Sequence, residues 1–129
     1  MKSFWLSRIA SFRYAFHGWS HVLKTQRNTW IHSFIATAVF IVGLWVGLPP
    51  RDWAVIVLAT GLVFAGEFMN TAIEAVVDLA SPDLHPLAKI GKDVGAAAVL
   101  VAALAAILVG LLILGPPLWS KLLTIFSTL

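Results

Sequence analysis

Two intervals without a single Asp, Glu, Lys or Arg govern this chain, one between Arg27 and Arg51 and one between Asp93 and Lys121. Each exceeds the roughly 20 residues that an α-helix needs to cross the hydrocarbon core of a bilayer. A third charge-free stretch, Trp53 to Gly66, opens the segment between them. Backbone in lipid must satisfy its own hydrogen bonds, so such segments fold as helices. Composition agrees: 60% of the 129 residues are hydrophobic and 12% are charged, where soluble domains carry about 25% charged residues. The sequence pI of ≈ 9.7 would suit nucleic acid in a soluble protein. In a chain this apolar, basic residues instead mark the cytoplasmic side of a membrane, and no nucleic-acid partner is expected. The absence of cysteine excludes disulfides and thiolate metal sites.

The expected architecture is one all-α integral-membrane domain over residues 1–129, with three transmembrane helices and an N-terminal amphipathic surface helix. Trp5, Ile9, Phe12, Phe16, Trp19 and Leu23 recur at helical spacing within residues 3–24, which defines one apolar face. The charges of that segment are all basic, suiting a helix that lies in the interface against anionic head groups. The segment is long, polar and basic, unlike a cleavable signal peptide. The first span is expected over 31–48, ended by Pro49 and Pro50, which cannot continue a helix. The second is expected over 53–78, followed by a loop over 79–92 that holds Ser81, Pro82, Asp83 and Pro86. The third is expected over 94–115, stopped by Pro116 and Pro117, with a first half rich in Gly and Ala that allows close helix approach.

Orientation follows from the Lys/Arg bias. Lys2, Arg8, Arg13, Lys24, Arg27, Lys89 and Lys92 fall on one side, and Arg51 and Lys121 on the other. The N-terminus and the second loop are therefore expected in the cytoplasm and the C-terminal tail outside.

The second span carries Glu67, Asn70, Glu74 and Asp78 at i, i+3, i+7 and i+11. At about 100° and 1.5 Å per residue they form a stripe roughly 80° wide and about 16 Å long. A carboxylate at membrane depth is expensive against lipid, so the stripe must face protein, water, metal or ligand. Paired carboxylates with an intervening amide suit Mg²⁺, which takes one or two carboxylates plus substrate phosphates. A deeper carboxylate can instead serve as general base toward a hydroxyl. Interhelical hydrogen bonding in an oligomer and an ion pathway are the competing uses. A second group, Asp83, His85, Lys89, Lys92 and Asp93, lies at the cytoplasmic mouth. Its lysines could meet nucleotide phosphates or simply anchor the loop inside. No Walker or Rossmann glycine pattern is present.

The run Glu67-Phe-Met-Asn70-Thr71-Ala72-Ile-Glu74-Ala-Val-Val-Asp78 resembles the signature of the prokaryotic diacylglycerol kinase family. The resemblance continues through His85-Pro86-Leu87-Ala88-Lys89 and Lys92-Asp93, Ser11 to Gly18, and Asn28-Thr-Trp-Ile-His32. The Asn70-Thr71 pair, the His85–Lys89 loop and the Asn28…His32 spacing look closer to the undecaprenol kinase branch.

The resemblance implies a homotrimer in a bacterial inner (cytoplasmic) membrane, with active sites shared between subunits, using ATP and Mg²⁺ to phosphorylate a membrane lipid alcohol. By the family pattern Glu67 is the base and Glu74 a metal ligand, while Asn70 and Asn28 position the acceptor. Tyr14, Asp83, His85, Lys92 and Asp93 meet ATP, with Gln26 and Glu74 at the metal-bound phosphates. Many relatives carry a glutamate where this chain has Gln26, which can ligate Mg²⁺ through its carbonyl but brings no charge. Undecaprenol is the expected substrate. Diacylglycerol is the alternative within the reaction, and a small oligomeric ion-coupled transporter the alternative outside it.

Overall fold

A computed structural model describes residues 2–83 and 85–127, with side chains from Arg8 onward. Every element among them is helical: α1 (Lys2–Thr25), α2 (Arg27–Val46), α3 (Pro50–Ala80) and α4 (Pro86–Ser127). The last three are each long and apolar enough to cross a membrane. The side chain of Trp5, first in the expected apolar face of α1, lies outside the described set.

Punctuation residues explain most of the boundaries. Gln26 alone separates α1 from α2, in an extended conformation (φ −100°, ψ 111°), while its N–H still bonds back to the Val22 carbonyl at 2.9 Å. Gly47 closes α2 at φ +78°, a left-handed geometry that suits glycine. The N–H groups of Gly47 and Leu48 both donate to the Gly43 carbonyl at 3.1 Å. Pro50 and Pro86 then stand at the first positions of α3 and α4, where the missing proline N–H would have no intrahelical partner.

Several boundaries differ from the sequence expectation, and α2 runs over 27–46 rather than 31–48. The loop expected over 79–92 is only 81–85, because Pro86 starts a helix rather than a turn; Lys89, Lys92 and Asp93 are therefore helical. α3 likewise starts at Pro50, not 53. Pro116 and Pro117 do not stop the last helix, which continues to Ser127. Each proline removes one amide donor, a loss that membrane helices absorb through neighbouring groups. Gly115 ahead of them offers no Cβ to crowd the ring. Beyond the prolines, Lys121 Nζ donates to the Trp45 carbonyl and sits 5.2 Å from the centroid of that indole. The last turns of α4 are thereby tied to the end of α2.

Packing is dominated by α3 against α4, with α2 alongside. Leu48, Ile56 and Leu114 are buried at one end, surrounded by Val39, Val42, Val46, Trp53, Val109 and Ile113. Gly43 permits this contact, since a Cβ there would lie 2.8 Å from the Trp53 ring. Most other apolar side chains, including Phe34, Leu58, Leu100 and Leu111, are exposed, as befits helices whose solvent is lipid. On α1, Ile9, Phe12 and Phe16 are exposed and Val22 is buried. Trp19 meets Phe68 of α3 edge-on at 5.6 Å.

Candidate active site

At the opposite end from that core, polar side chains replace apolar ones between the same helices. Glu67 is 2% exposed, and Asn70 and Thr71 are also buried. Two turns of helix put Glu67 and Glu74 on the same side of α3, with Asn70 between them. Glu74 accepts two hydrogen bonds, from Asn70 Nδ2 at 3.0 Å and from Gln26 Nε2 at 3.1 Å. The residue that breaks the backbone between α1 and α2 is thus also the one that reaches the acid on α3. Among the described residues no Lys, Arg or His pairs with Glu74.

Glu67 is held differently. His32 Nε2 of α2 lies 3.1 Å from its Oε1, but the alignment falls short of a hydrogen bond, so that buried oxygen has no hydrogen-bond partner. Thr29 Oγ1 and Asn70 Oδ1 are in the same condition. Unpaired buried polar atoms are rare in folded proteins and call for an explanation; each costs about 1–3 kcal/mol when left so. Two of the three belong to residues that border one cavity of about 260 Å³, lined by Gln26, Asn28, His32, Glu67, Asn70 and Glu74 on one side and Ala96, Val99 and Ala103 of α4 on the other. Thr71 Oγ1 is occupied elsewhere, donating to the Glu67 carbonyl at 2.9 Å.

Asn70 reaches its position because α4 presents Gly95 there. A Cβ on that glycine would collide with Asn70 Oδ1. A second, apolar cavity of about 490 Å³ runs between α2, α3 and α4 toward the other end, and it shares His32 and Ala103 with the first. Polar and apolar spaces therefore meet at His32 and Ala103, with Glu67 on the polar side 3.1 Å from His32.

The residues expected to meet ATP are not all gathered with this cavity. Lys92 Nζ pairs with Asp78 Oδ1, joining the first turns of α4 to the end of α3. Asp93 pairs with Lys89 at 2.5 Å along α4. His85 Nδ1 accepts the Leu87 N–H at 3.2 Å, capping α4, and Asp83 is exposed in the connection, its carbonyl accepting from Ser81 Oγ at 3.0 Å. Tyr14 is 67% exposed on α1. The cavity instead contains a residue to which sequence reasoning gave no role, His32. Its signal was available: it lies one helical turn from Asn28, a polar ring in a charge-free helix. Gly95 was read only as a small packing residue, and Thr29 had no signal beyond its place beside Asn28.

Comparison with known proteins gives a consistent picture. The family model for prokaryotic diacylglycerol kinase matches residues 13–114. The chain is 44% identical over 108 residues to an undecaprenol kinase of Bacillus subtilis, covering 84% of this chain and 88% of that one. It is 47% identical over 113 residues to a diacylglycerol kinase of Synechocystis, covering 87% of this chain but only 65% of the Synechocystis protein's length. A diacylglycerol kinase of Escherichia coli is 34% identical over 68 residues, 53% of this chain and 56% of that one.

Proposed function

This chain belongs to the prokaryotic diacylglycerol kinase family, and from that premise we propose that it transfers the γ-phosphoryl group of ATP to the hydroxyl of a membrane lipid alcohol. Undecaprenol is the first substrate to test, on the match to an undecaprenol kinase over most of both chains. Diacylglycerol is the second, on the match to the Synechocystis enzyme. Membership in a kinase family sets aside the ion-coupled transporter that the acidic stripe alone allowed.

The observation that carries the reading is Glu67 Oε1, a buried carboxylate oxygen without a hydrogen-bond partner, which lines the polar cavity beside His32, where the apolar cavity adjoins it. A lipid alcohol has that same duality. Its chain suits the apolar space, and its hydroxyl would supply the missing donor to Glu67. In the reaction the O–H bond breaks and its proton passes to Glu67 while the freed oxygen takes the γ-phosphoryl group, leaving ADP. Phosphoryl transfer depends on positioning and charge neutralisation more than on covalent chemistry by the protein.

Glu74 fits the metal role: a half-buried carboxylate held only by amides, one turn beyond Asn70. Mg²⁺ needs one or two carboxylates when phosphates complete its shell, so Glu74 with the carbonyl oxygen of Gln26 would hold it. Gln26 would then turn its amide, which now donates to Glu74. Mg²⁺ so bound would neutralise phosphate charge. Lys92 and Asp93, with Asp83, His85 and Tyr14, would meet the nucleotide. Their spread over α1, the 81–85 connection and α4 supports sites completed between neighbouring subunits of a homotrimer. The excess of Lys and Arg at this end supports a cytoplasmic face for it, and the basic, aromatic α1 supports a surface helix there.

The deciding experiment gives purified protein in lipid vesicles ATP and Mg²⁺ with undecaprenol or diacylglycerol in parallel. The higher kcat/KM identifies the substrate. Glu67→Gln is expected to lower kcat at least about 100-fold; near-parent activity in that variant would remove the proposed base.

A further inference from the structure

Glu67 has a neighbour that the proposed chemistry leaves unused. His32 projects from α2 with its side chain 19% exposed and its Nε2 3.1 Å from Glu67 Oε1. It borders both cavities. Of the two residues they share, Ala103 offers a methyl group and His32 a hydrogen-bonding ring. The contact is short yet poorly aligned, a condition common in catalytic pairs before substrate binds, which tightens when it does.

We propose that His32 is a positioning residue for the lipid acceptor: standing at the seam between the two cavities, it holds the Glu67 carboxylate on the polar side of that seam, toward which the hydroxyl end of a lipid lying in the apolar cavity would extend. The inference rests on Glu67 acting as base. A glutamate side chain has three rotatable bonds, and a buried one with an unpartnered oxygen is held in place only by its surroundings. Imidazole is rigid and anchored on α2, so it restricts the carboxylate from a second helix. No Lys, Arg or other His pairs with Glu67 among the described residues, so none of those side chains can replace that restraint. A misplacement of about 1 Å at such a base is enough to slow a reaction on the order of 100-fold.

The test compares His32→Phe and His32→Gln with the parent protein in phosphatidylcholine vesicles containing undecaprenol, ATP and Mg²⁺. Phe fills similar volume without a polar tip, and the Gln side-chain amide can reach Oε1. His32→Phe is expected to lower kcat about 10- to 100-fold with the KM for ATP unchanged, and His32→Gln to regain most of that loss. A structural role would move both parameters, or would leave Gln no better than Phe; either result overturns the proposal, as does a parent-like kcat in His32→Phe. If His32→Phe does not assemble, His32→Ala with added imidazole replaces it: recovery supports the proposal and no recovery overturns it. Glu67→Gln separates the two levels. If it is inactive while His32→Phe is normal, only the His32 role falls; if it is active, the base assignment falls first.

Discussion

Asn70 is fixed from two directions, donating through Nδ2 to Glu74 and turning Oδ1 against the backbone at Gly95. Alanine for glycine inside a helix ordinarily stabilises it by about 0.5–1 kcal/mol. At position 95 the added methyl would drive Asn70 away from Glu74, so the two effects oppose each other. Gly95→Ala is expected to lower kcat about tenfold without a gain in melting temperature; an unchanged kcat would free Asn70 from the proposed positioning role. Gln26→Glu makes the complementary change. It removes a hydrogen bond to Glu74 and adds a second carboxylate where Mg²⁺ is proposed to sit. The Mg²⁺ concentration for half-maximal activity should fall, about tenfold, because ligand charge sets affinity for hard cations. The acidic stripe itself could be read directly from residue spacing on α3. His32 and the unpaired oxygens could not, since their significance comes from α2 meeting α3, and a helical period says nothing about the register between two helices.

At 1.5 Å per residue, the 31 residues of α3 span about 46 Å and the 42 of α4 about 63 Å, against a hydrocarbon core of about 30 Å. Both helices must protrude, and the polar residues show where: Glu74, Asp78 and Lys92 lie at the ends joined by the 81–85 connection. Cysteine labelling tests that orientation cleanly, because the chain has no cysteine of its own. Leu79→Cys, on an exposed position, should react with an impermeant maleimide in inverted vesicles and not in intact cells. Val101→Cys should resist from both sides. The three apolar helices were legible because length and absence of charge are local properties. The course of α4 was not, because Pro116 and Pro117 break helices in water, while in a bilayer the alternatives to helix are worse. Lys121 then gives the segment beyond them something to hold. Lys121→Met should speed amide exchange over residues 118–127 and leave kinase activity near the parent value, as this clasp lies far from Glu67.

The whole chain exposes 9860 Å² of surface, where a compact soluble protein of its 14.0 kDa mass would expose about 6,700 Å². Lipid must cover much of that excess, and in the proposed trimer neighbouring subunits would cover the rest. For the proposed trimer, native mass spectrometry from detergent should give three chains, about 42 kDa of protein from the 14.0 kDa subunit, under cyclic symmetry; a monomer that retains full activity would end the shared-site reading. Surfaces on other chains leave no periodic trace in one sequence, so the exposed positions of Tyr14 and Asp83 were not legible in it. Gln26 has a mechanical consequence at this scale. The 24 residues of α1 make an arm about 36 Å long joined to α2 at that single extended residue, so a 10° tilt would carry the far tip about 6 Å while the junction barely moves. If α1 lies on the membrane as proposed, undulation of that surface would be felt mainly at the far tip, since Trp19 against Phe68 and the Gln26–Glu74 hydrogen bond tie the near end to α3.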